Sequence, residues 1–426
     1  MSPRKFTPGR GVEVSGSGEG QRPVHEAPEL GGISRGGAGA RGVGSAPSDA
    51  VEMTRQLVAV PSVNPSIEAG GGAEGPIARL TADWLTEWGW DARVIECGKH
   101  RFNVSAVRGD SGPSLLLNGH LDTVGIRGMT VAPFGADSTS DRIVGRGSCD
   151  MKSGVAIVLE TARRAALEDW PGRLHILLTG DEEHASIGMQ AAVRDGLSAD
   201  LAVVTEPTSL AVMPAHKGFS WVKATFTGRA AHGSRPEVGV DAVLAASRFL
   251  VALGELDTDI KAGPAHPLLG HGSWHVGTMN GGVAPSVYPE HCEVVLERRT
   301  LPSESEEEFI RDLQKRIDAL VDAGHAVNAT LEQDLLRPGS DVAPDHPVVT
   351  GLLRACEDEG VPPRVEGMTA WVDAAYLNLA GIPAVCFGPG SIGKAHSADE
   401  DVPISEIEAG ARVLVRFSRD FLTGSD

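Results

Sequence analysis

The chain has 426 residues, 41% of them hydrophobic and 22% charged, so it can bury a sizeable core and reads as neither fibrous nor membranous. At about three times the usual domain size it is expected to hold one large domain and a smaller one. Its formal net charge of -19 argues against nucleic acid or an anionic membrane as the main partner.

The five cysteines are widely spread and form no C-x-x-C pair, which argues against a disulfide framework and fits a reducing cytoplasm. No run of about 18 apolar residues exists, so no helix is expected to span a bilayer. The N-terminus has no apolar core of the kind a secretory signal requires.

Residues 1–47 are rich in Gly and Ser and poor in large apolar side chains. Such a segment cannot offset its ordering entropy by burial, so it is expected to be disordered. From Asp49 the pattern changes. "AVEMTRQLVAV" and "GPIARLTADWLTEWGW" carry apolar residues at helical spacing. Extended runs follow in "DARVIEC", "FNVSAV" and "PSLLLNGH", then a helix in "SGVAIVLETARRAAL", a strand in "RLHILLTG", a helix near Met189–Asp195 and a strand in "ADLAVVTEP". Short, continuously apolar strands alternating with helices indicate an α/β domain on a mostly parallel sheet.

The middle of the chain differs. "GFSWVKATFTG" alternates as a half-buried strand, and a helix, two strands, a helix and a strand follow as far as "AVNATLEQD". That order is the ferredoxin-like split βαβ motif, so residues 213–334 are expected to form an inserted α+β domain. The flanking segments 48–212 and 335–426 are expected to make the catalytic domain, with "HPVVTGLLRACEDEG" and "PAVCFGPG" returning to helix and buried strand.

The chemistry is carried by polar residues placed where these strands end. "SLLLNGHLD" ends at His120 and Asp122, "RLHILLTG" runs out just before Glu182 and Glu183, and "ADLAVVTEP" ends at Glu206. "PAVCFGPG" leads into the loop holding His396, and Asp150 lies in the Gly-rich "GRGSCDMKSG". Open α/β sheets bind ligands outside the carboxyl ends of their strands. Any one of these residues alone reads as a structural side chain or a solvated loop. Five together place carboxylates at one sheet edge, where they repel one another unless a cation neutralises them. Two imidazoles and three carboxylates suit zinc, or the similar ions cobalt and manganese. His120 and Asp122 share one face of their strand, which puts Asp122 within reach of the second imidazole nitrogen.

"GHLDTV", "GRGSCDMKSG", "GDEEHASIG", "VVTEP", "GRAAHGSRPEVGVDA" and "GPGSIGKAHSADE" occur in this order between about residues 50 and 425. The set resembles the co-catalytic zinc peptidase and deacylase family, which includes acetylornithine deacetylases, succinyl-diaminopimelate desuccinylases, aminoacylases and glutamate carboxypeptidases. "GPGSI" followed by "AHSADE" is most similar to the acetylornithine deacetylase-like members.

The resemblance implies two divalent metal ions bridged by Asp150, with His120 and Glu206 completing one site and Glu183 and His396 the other. It implies Glu182 as catalytic base, Asp122 as the residue orienting His120, and Arg299 as ligand of the substrate carboxylate. It also implies a lid and dimerisation role for the inserted domain, and a His232 that reaches the active site of the other subunit of a homodimer. The expected reaction is cleavage of an N-acyl amino acid, with a dipeptidase or carboxypeptidase as the alternative. A non-catalytic binding protein on the same scaffold would have lost Glu182 or a ligand, and none is lost. Four positions depart from the family pattern: Ser153 for Gly, Glu297 for Asp, Ser286 for Asn, and no Trp before "PF" in "MTVAPFG".

Overall fold

The computed structural model describes residues 46–70, 72–135 and 139–424. The expectation of disorder for residues 1–47 lies, up to residue 45, outside the described residues.

The helices are α1 (Ala50–Val58), α2 (Gly75–Glu87), α3 (Ser153–Glu168), α4 (Ile187–Arg194), α5 (Ala242–Ala262), α6 (Glu306–Asp322), α7 (Pro347–Asp358), α8 (Ala374–Leu379) and α9 (Ile404–Thr423). The strands up to the middle of the chain are β1 (Asp91–Gly98), β2 (Arg101–Arg108), β3 (Ser114–His120), β4 (Arg142–Val144), β5 (Arg173–Thr179), β6 (Leu201–Val204), β7 (Val212–His216) and β8 (Gly218–Thr227). The rest are β9 (Ser273–Gly281), β10 (His291–Thr300), β11 (Ala329–Arg337), β12 (Ser340–Asp341), β13 (Val365–Met368), β14 (Ala384–Cys386) and β15 (Asp401–Pro403).

The large sheet runs β1-β2-β5-β3-β6-β14-β7-β12, with β13 also paired to β7. Its centre, β5-β3-β6-β14, is parallel, and antiparallel pairs flank it on both sides. The central strands read as mostly apolar runs, interrupted by Asn118 in β3 and His175 in β5, because both faces are covered. Alternate residues show it. Leu115, Leu117, Ile176 and Val203 face a core closed by α1, α2, α3, α7 and α9, whereas Leu116, Leu177, Ala202 and Val204 face a second core with α4 and α8.

The smaller sheet runs β11-β8-β10-β9, every pair antiparallel, with α5 and α6 on one face. Its chain order of strand, helix, strand, strand, helix, strand is the ferredoxin-like arrangement expected from the sequence. The elements of this unit span Gly218–Arg337, while Val212–His216 pairs within the large sheet. Only one face is covered here, so β10 alternates buried with half-exposed residues along its length. Capping fixes where the helices start: the Asp241 carboxylate accepts from the Leu244 amide at α5, and Ser305 with Glu308 forms a capping box at α6.

Four features lie outside the elements expected above. They are the strands β7, β12 and β13, the β4–β15 ladder, the short α8, and the C-terminal α9. The buried residues of α9, among them Ile407, Ala411, Leu414 and Phe417, do repeat at helical spacing.

Candidate active site

Because β5, β3, β6 and β14 run parallel, their carboxyl ends share one edge. His120 is the last residue of β3, Glu182 and Glu183 follow β5, Glu206 follows β6, and the loop after β14 brings in His396. Asp150 comes from the loop before α3, where its backbone is extended (φ -121°, ψ 97°) and its peptide bond to Met151 is cis. Two glycines allow that loop its path. Gly147 sits at φ 81°, and a side chain at Gly154 would place a Cβ 2.0 Å from the Thr205 carbonyl oxygen.

The five expected ligands converge as two triads. His120, Asp150 and Glu206 offer donor atoms within 4.8 Å of one another, and so do Asp150, Glu183 and His396. Asp150 is shared: one oxygen lies 3.0 Å from His120 Nε2 and the other 3.3 Å from His396 Nε2. The Glu183 carboxylate approaches His396 Nε2 at 3.0 Å.

The residues fit a cation at both triads. His120 Nδ1 lies 2.9 Å from the Asp122 carbonyl oxygen, which can only accept, so Nδ1 carries the proton of the neutral ring. Nε2 then presents a lone pair to a carboxylate oxygen 3.0 Å away, and two acceptors at that distance need a cation or proton between them. Glu206 Oε1 is buried and has no hydrogen-bond partner among the described residues. Burial pushes the carboxyls of Glu182, Glu183 and Glu206 above their ordinary range, with mutual repulsion adding to it. Burial opposes charge on His120, yet Asp150, Glu182 and Glu206 hold its pKa well up.

Asp122 serves the site differently from the expected contact. Its carboxylate lies 3.8 Å from His120 Nδ1, and it is the main-chain carbonyl of Asp122 that bonds the ring. The carboxylate instead accepts from the backbone amides of Glu182 (3.0 Å) and Glu183 (3.2 Å), fixing the loop that carries both. Glu182 projects an oxygen 4.0 Å from His120 Nε2.

Several further residues support the site. Asn64 donates to both Asp122 and Asp181. Arg101, 4% exposed, donates to Asn64, Ser66 and Asp181 and lies 3.5 Å from Glu74. Burial and the nearby Asp122 raise the Glu74 pKa to about 7. Glu400 accepts from the amides of Cys149 and Asp150 at 3.0 Å each and pairs with Arg146, so it holds the Asp150 loop in place. Asp373, 1% exposed, accepts from Thr179, and burial lifts its pKa to about 7. An isolated Asn, Asp or Arg in an ordinary strand or loop offers no pattern to find.

Glu182, Glu183 and His396 border a cleft of about 730 Å³ whose far wall includes Arg299, Arg337, Lys217, Phe219 and Trp371. Arg299 stacks 4.9 Å over Phe219 and pairs with Glu297 at 2.6 Å. His232 is not among the residues lining the cleft; it is exposed and bonded to Ser234 at 2.8 Å. Of the departing positions, Ser153 is buried, and the Ser286 carbonyl accepts from the Gly233 amide.

The model of the Peptidase family M20/M25/M40 matches residues 116–420, the stretch that carries all five converging residues. The chain belongs to that family. Among curated M20 relatives, the acetylornithine deacetylase of Aliivibrio salmonicida is 28% identical over 371 residues, covering 85% of this chain and 96% of its own length. That of Proteus mirabilis is 28% identical over 381 residues, covering 87% and 96%. Among solved structures, the aminopeptidase PepT of Bacillus cereus superposes with a TM-score of 0.73 at 21% identity, covering 89% of this chain and all of its own. A Bacillus subtilis protein described as a dinuclear metal binding peptidase of the M20 family gives 0.68 at 15% identity, covering 88% and 97%. The fold is therefore the M20 peptidase fold with a lid, and the protein is a metal-dependent amidohydrolase. Among the described residues no helix is long and apolar enough to cross a membrane, and all five cysteines are free.

Proposed function

We propose that this M20 enzyme hydrolyses the amide bond of N-acyl amino acids in the cytoplasm. The observation that carries the reading is one carboxylate, Asp150, shared by two triads, with Glu182 beside them. The curated relatives, alike over nearly their whole length, favour a deacylase over a dipeptidase or carboxypeptidase.

In this reading the two triads, which share Asp150, would hold two divalent ions, zinc by the donor set, with cobalt or manganese as substitutes. His120 and Glu206 would complete one site and Glu183 and His396 the other. The ions, when bound, polarise the scissile carbonyl and lower the pKa of an attacking water. Glu182 accepts that water's proton and returns it to the leaving amine. Asp122 holds Glu182 by its backbone amide, so the base keeps one position through both transfers. Arg299 receives the carboxylate of the amino-acid half. Residues 213–334 act as a lid and as the contact of a homodimer, whose exposed edge strand β9 is open for pairing. His232 then serves the partner's oxyanion.

The test is a panel of N-acyl amino acids and dipeptides on zinc-loaded protein, with elemental analysis. Turnover of the N-acyl compounds with about two ions per chain is the expected result. Full activity in strong chelator, or no retained metal after loading, would sink it. The His232 role is checked by mixing His232→Ala with Glu182→Gln under subunit exchange. Activity returns if His232 acts across the dimer, and stays absent despite exchange if it does not.

A further inference from the structure

We infer that the substrate carries a second carboxylate besides that of its amino-acid end, and that Arg337 and Lys217 receive it. The inference rests on the amide-hydrolysis reading above and deepens it.

The small sheet aligns three cleft residues in one row. Arg299 on β10 is directly opposite Phe219 on β8, and Phe219 is directly opposite Arg337 on β11. Directly opposed residues of antiparallel strands project to the same face, and this face is the one that borders the cleft. Arg299 and Arg337 therefore stand on either side of Phe219 in this row. Arg299 lies over the Phe219 ring and is tied to Glu297. Arg337 reaches the other way, 5.5 Å over Trp371, with Nη2 3.2 Å from the Ala185 carbonyl in the loop that follows Glu183. Lys217 enters from the crossing between β7 and β8, its ammonium 2.7 Å from the His271 carbonyl.

The partners of these cations decide the argument. Among the described residues Arg337 is hydrogen-bonded only to carbonyls, of Ala185 and Leu336. Lys217 is likewise bonded only to a carbonyl. Among the described residues neither forms an ion pair with a carboxylate, in a chain whose net charge is -19. A planar guanidinium stacked on an aromatic ring, with donors to spare, is suited to bidentate capture of a carboxylate. Among the described residues the carboxylates lining the cleft are Glu182 and Glu183, and both belong to the metal edge. A cationic side chain, such as that of ornithine, finds no unengaged anion there and three cations. An anionic one finds two cations without a counter-charge. The second carboxylate can stand on the amino-acid side chain or at the end of the acyl group, and its recognition chemistry is the same.

Calorimetric titration of zinc-loaded Glu182→Gln protein separates these cases without turnover. The probes are N-acetylnorvaline, N-acetylglutamate, N-succinylnorvaline and N-acetylornithine. At least one of the two dicarboxylates should bind roughly 10- to 100-fold more tightly than N-acetylnorvaline, the worth of one charge-assisted hydrogen bond, and N-acetylornithine more weakly than it. Whichever dicarboxylate responds assigns the second carboxylate to the side chain or to the acyl group. Adding Arg337→Gln should collapse that preference, and Lys217→Met provides the same reading if Arg337→Gln does not fold. Equal binding of all four probes, tighter binding of N-acetylornithine, no binding at all, or an unchanged preference in both variants overturns the inference. Wild-type turnover of the same compounds tests the underlying reading separately. A dicarboxylate that binds preferentially yet is never cleaved removes amide hydrolysis of N-acyl amino acids and leaves the subsite. Cleavage with no preference removes the subsite alone.

Discussion

The two sheets solve different problems with the same backbone chemistry. In the large sheet, β3, β5 and β6 are buried almost end to end, packed by helices on both faces. Polar residues cluster where the strands stop, and several of them there are buried and fixed by backbone hydrogen bonds. In the small sheet, helices cover one face, and long side chains such as Arg299 and Phe219 stand on the other. The first arrangement suits a metal centre, whose ligands must hold position closely. The second suits substrate selection, because residues on an open face change without disturbing a core.

Their ion pairs differ in the same way. Arg101 lies within reach of both Glu74 and Asp181, and all three side chains are at most 5% exposed. In the small unit, Arg316 on α6 pairs with Glu255 and Asp259 on α5, whose side chains are 78% and 66% exposed. Removing one member of a buried group leaves uncompensated charge, whereas an exposed pair is screened by water.

The largest expected effect comes from that contrast. Arg101→Ala should cost about 3–5 kcal/mol in stability, read from urea unfolding, because Glu74 and Asp181 lose their counter-charge. A cost below about 1 kcal/mol would mean that the two environments do not differ as described. Next, Glu182→Gln should retain metal and melting temperature while kcat falls at least ~10²-fold, the scale of a general base. Near wild-type kcat in that variant would place the base elsewhere.

A pH experiment addresses the large sheet alone. Burial, with Arg173 assisting, lowers the His175 pKa to about 4, and burial lowers that of His216 to about 4. Both fall below the unfolded value of about 6.5, so the unfolded chain binds more protons between the two. The stability they allow is complete above pH 6.5 and is lost as pH falls toward 4. Each should remove about 2 kcal/mol between pH 7 and pH 5, and His175→Gln with His216→Gln should flatten that part of the profile. An unchanged slope would refute the assignment. The smallest effect belongs to the small sheet: Arg316→Met should change stability by about 1 kcal/mol or less, and raising the salt concentration should reduce it further.

From the sequence alone came the elements with strong periodicity, the strand ends carrying His120, Glu182, Glu183 and Glu206, and Asp150 and His396 in their loops. Those residues are readable because a buried parallel strand is a mostly apolar run, and the charged or imidazole side chains cluster where it gives way to a loop. The order of the inserted strands and helices likewise announced the ferredoxin-like unit.

Only the tertiary structure decided how partners far apart in the chain meet. That Asp150 faces two triads, that Glu400 holds its loop from 250 residues away, and that Arg101 lies among Asn64, Asp181 and Glu74 depends on how loops cross the sheet edge. The same holds for Asp122, where two-residue spacing pointed to the His120 ring. The turn after β3 gives that ring the main-chain carbonyl and sends the carboxylate to the Glu182 and Glu183 amides. Local spacing determines which face a side chain leaves from. What it meets there is determined by elements that sequence distance does not record.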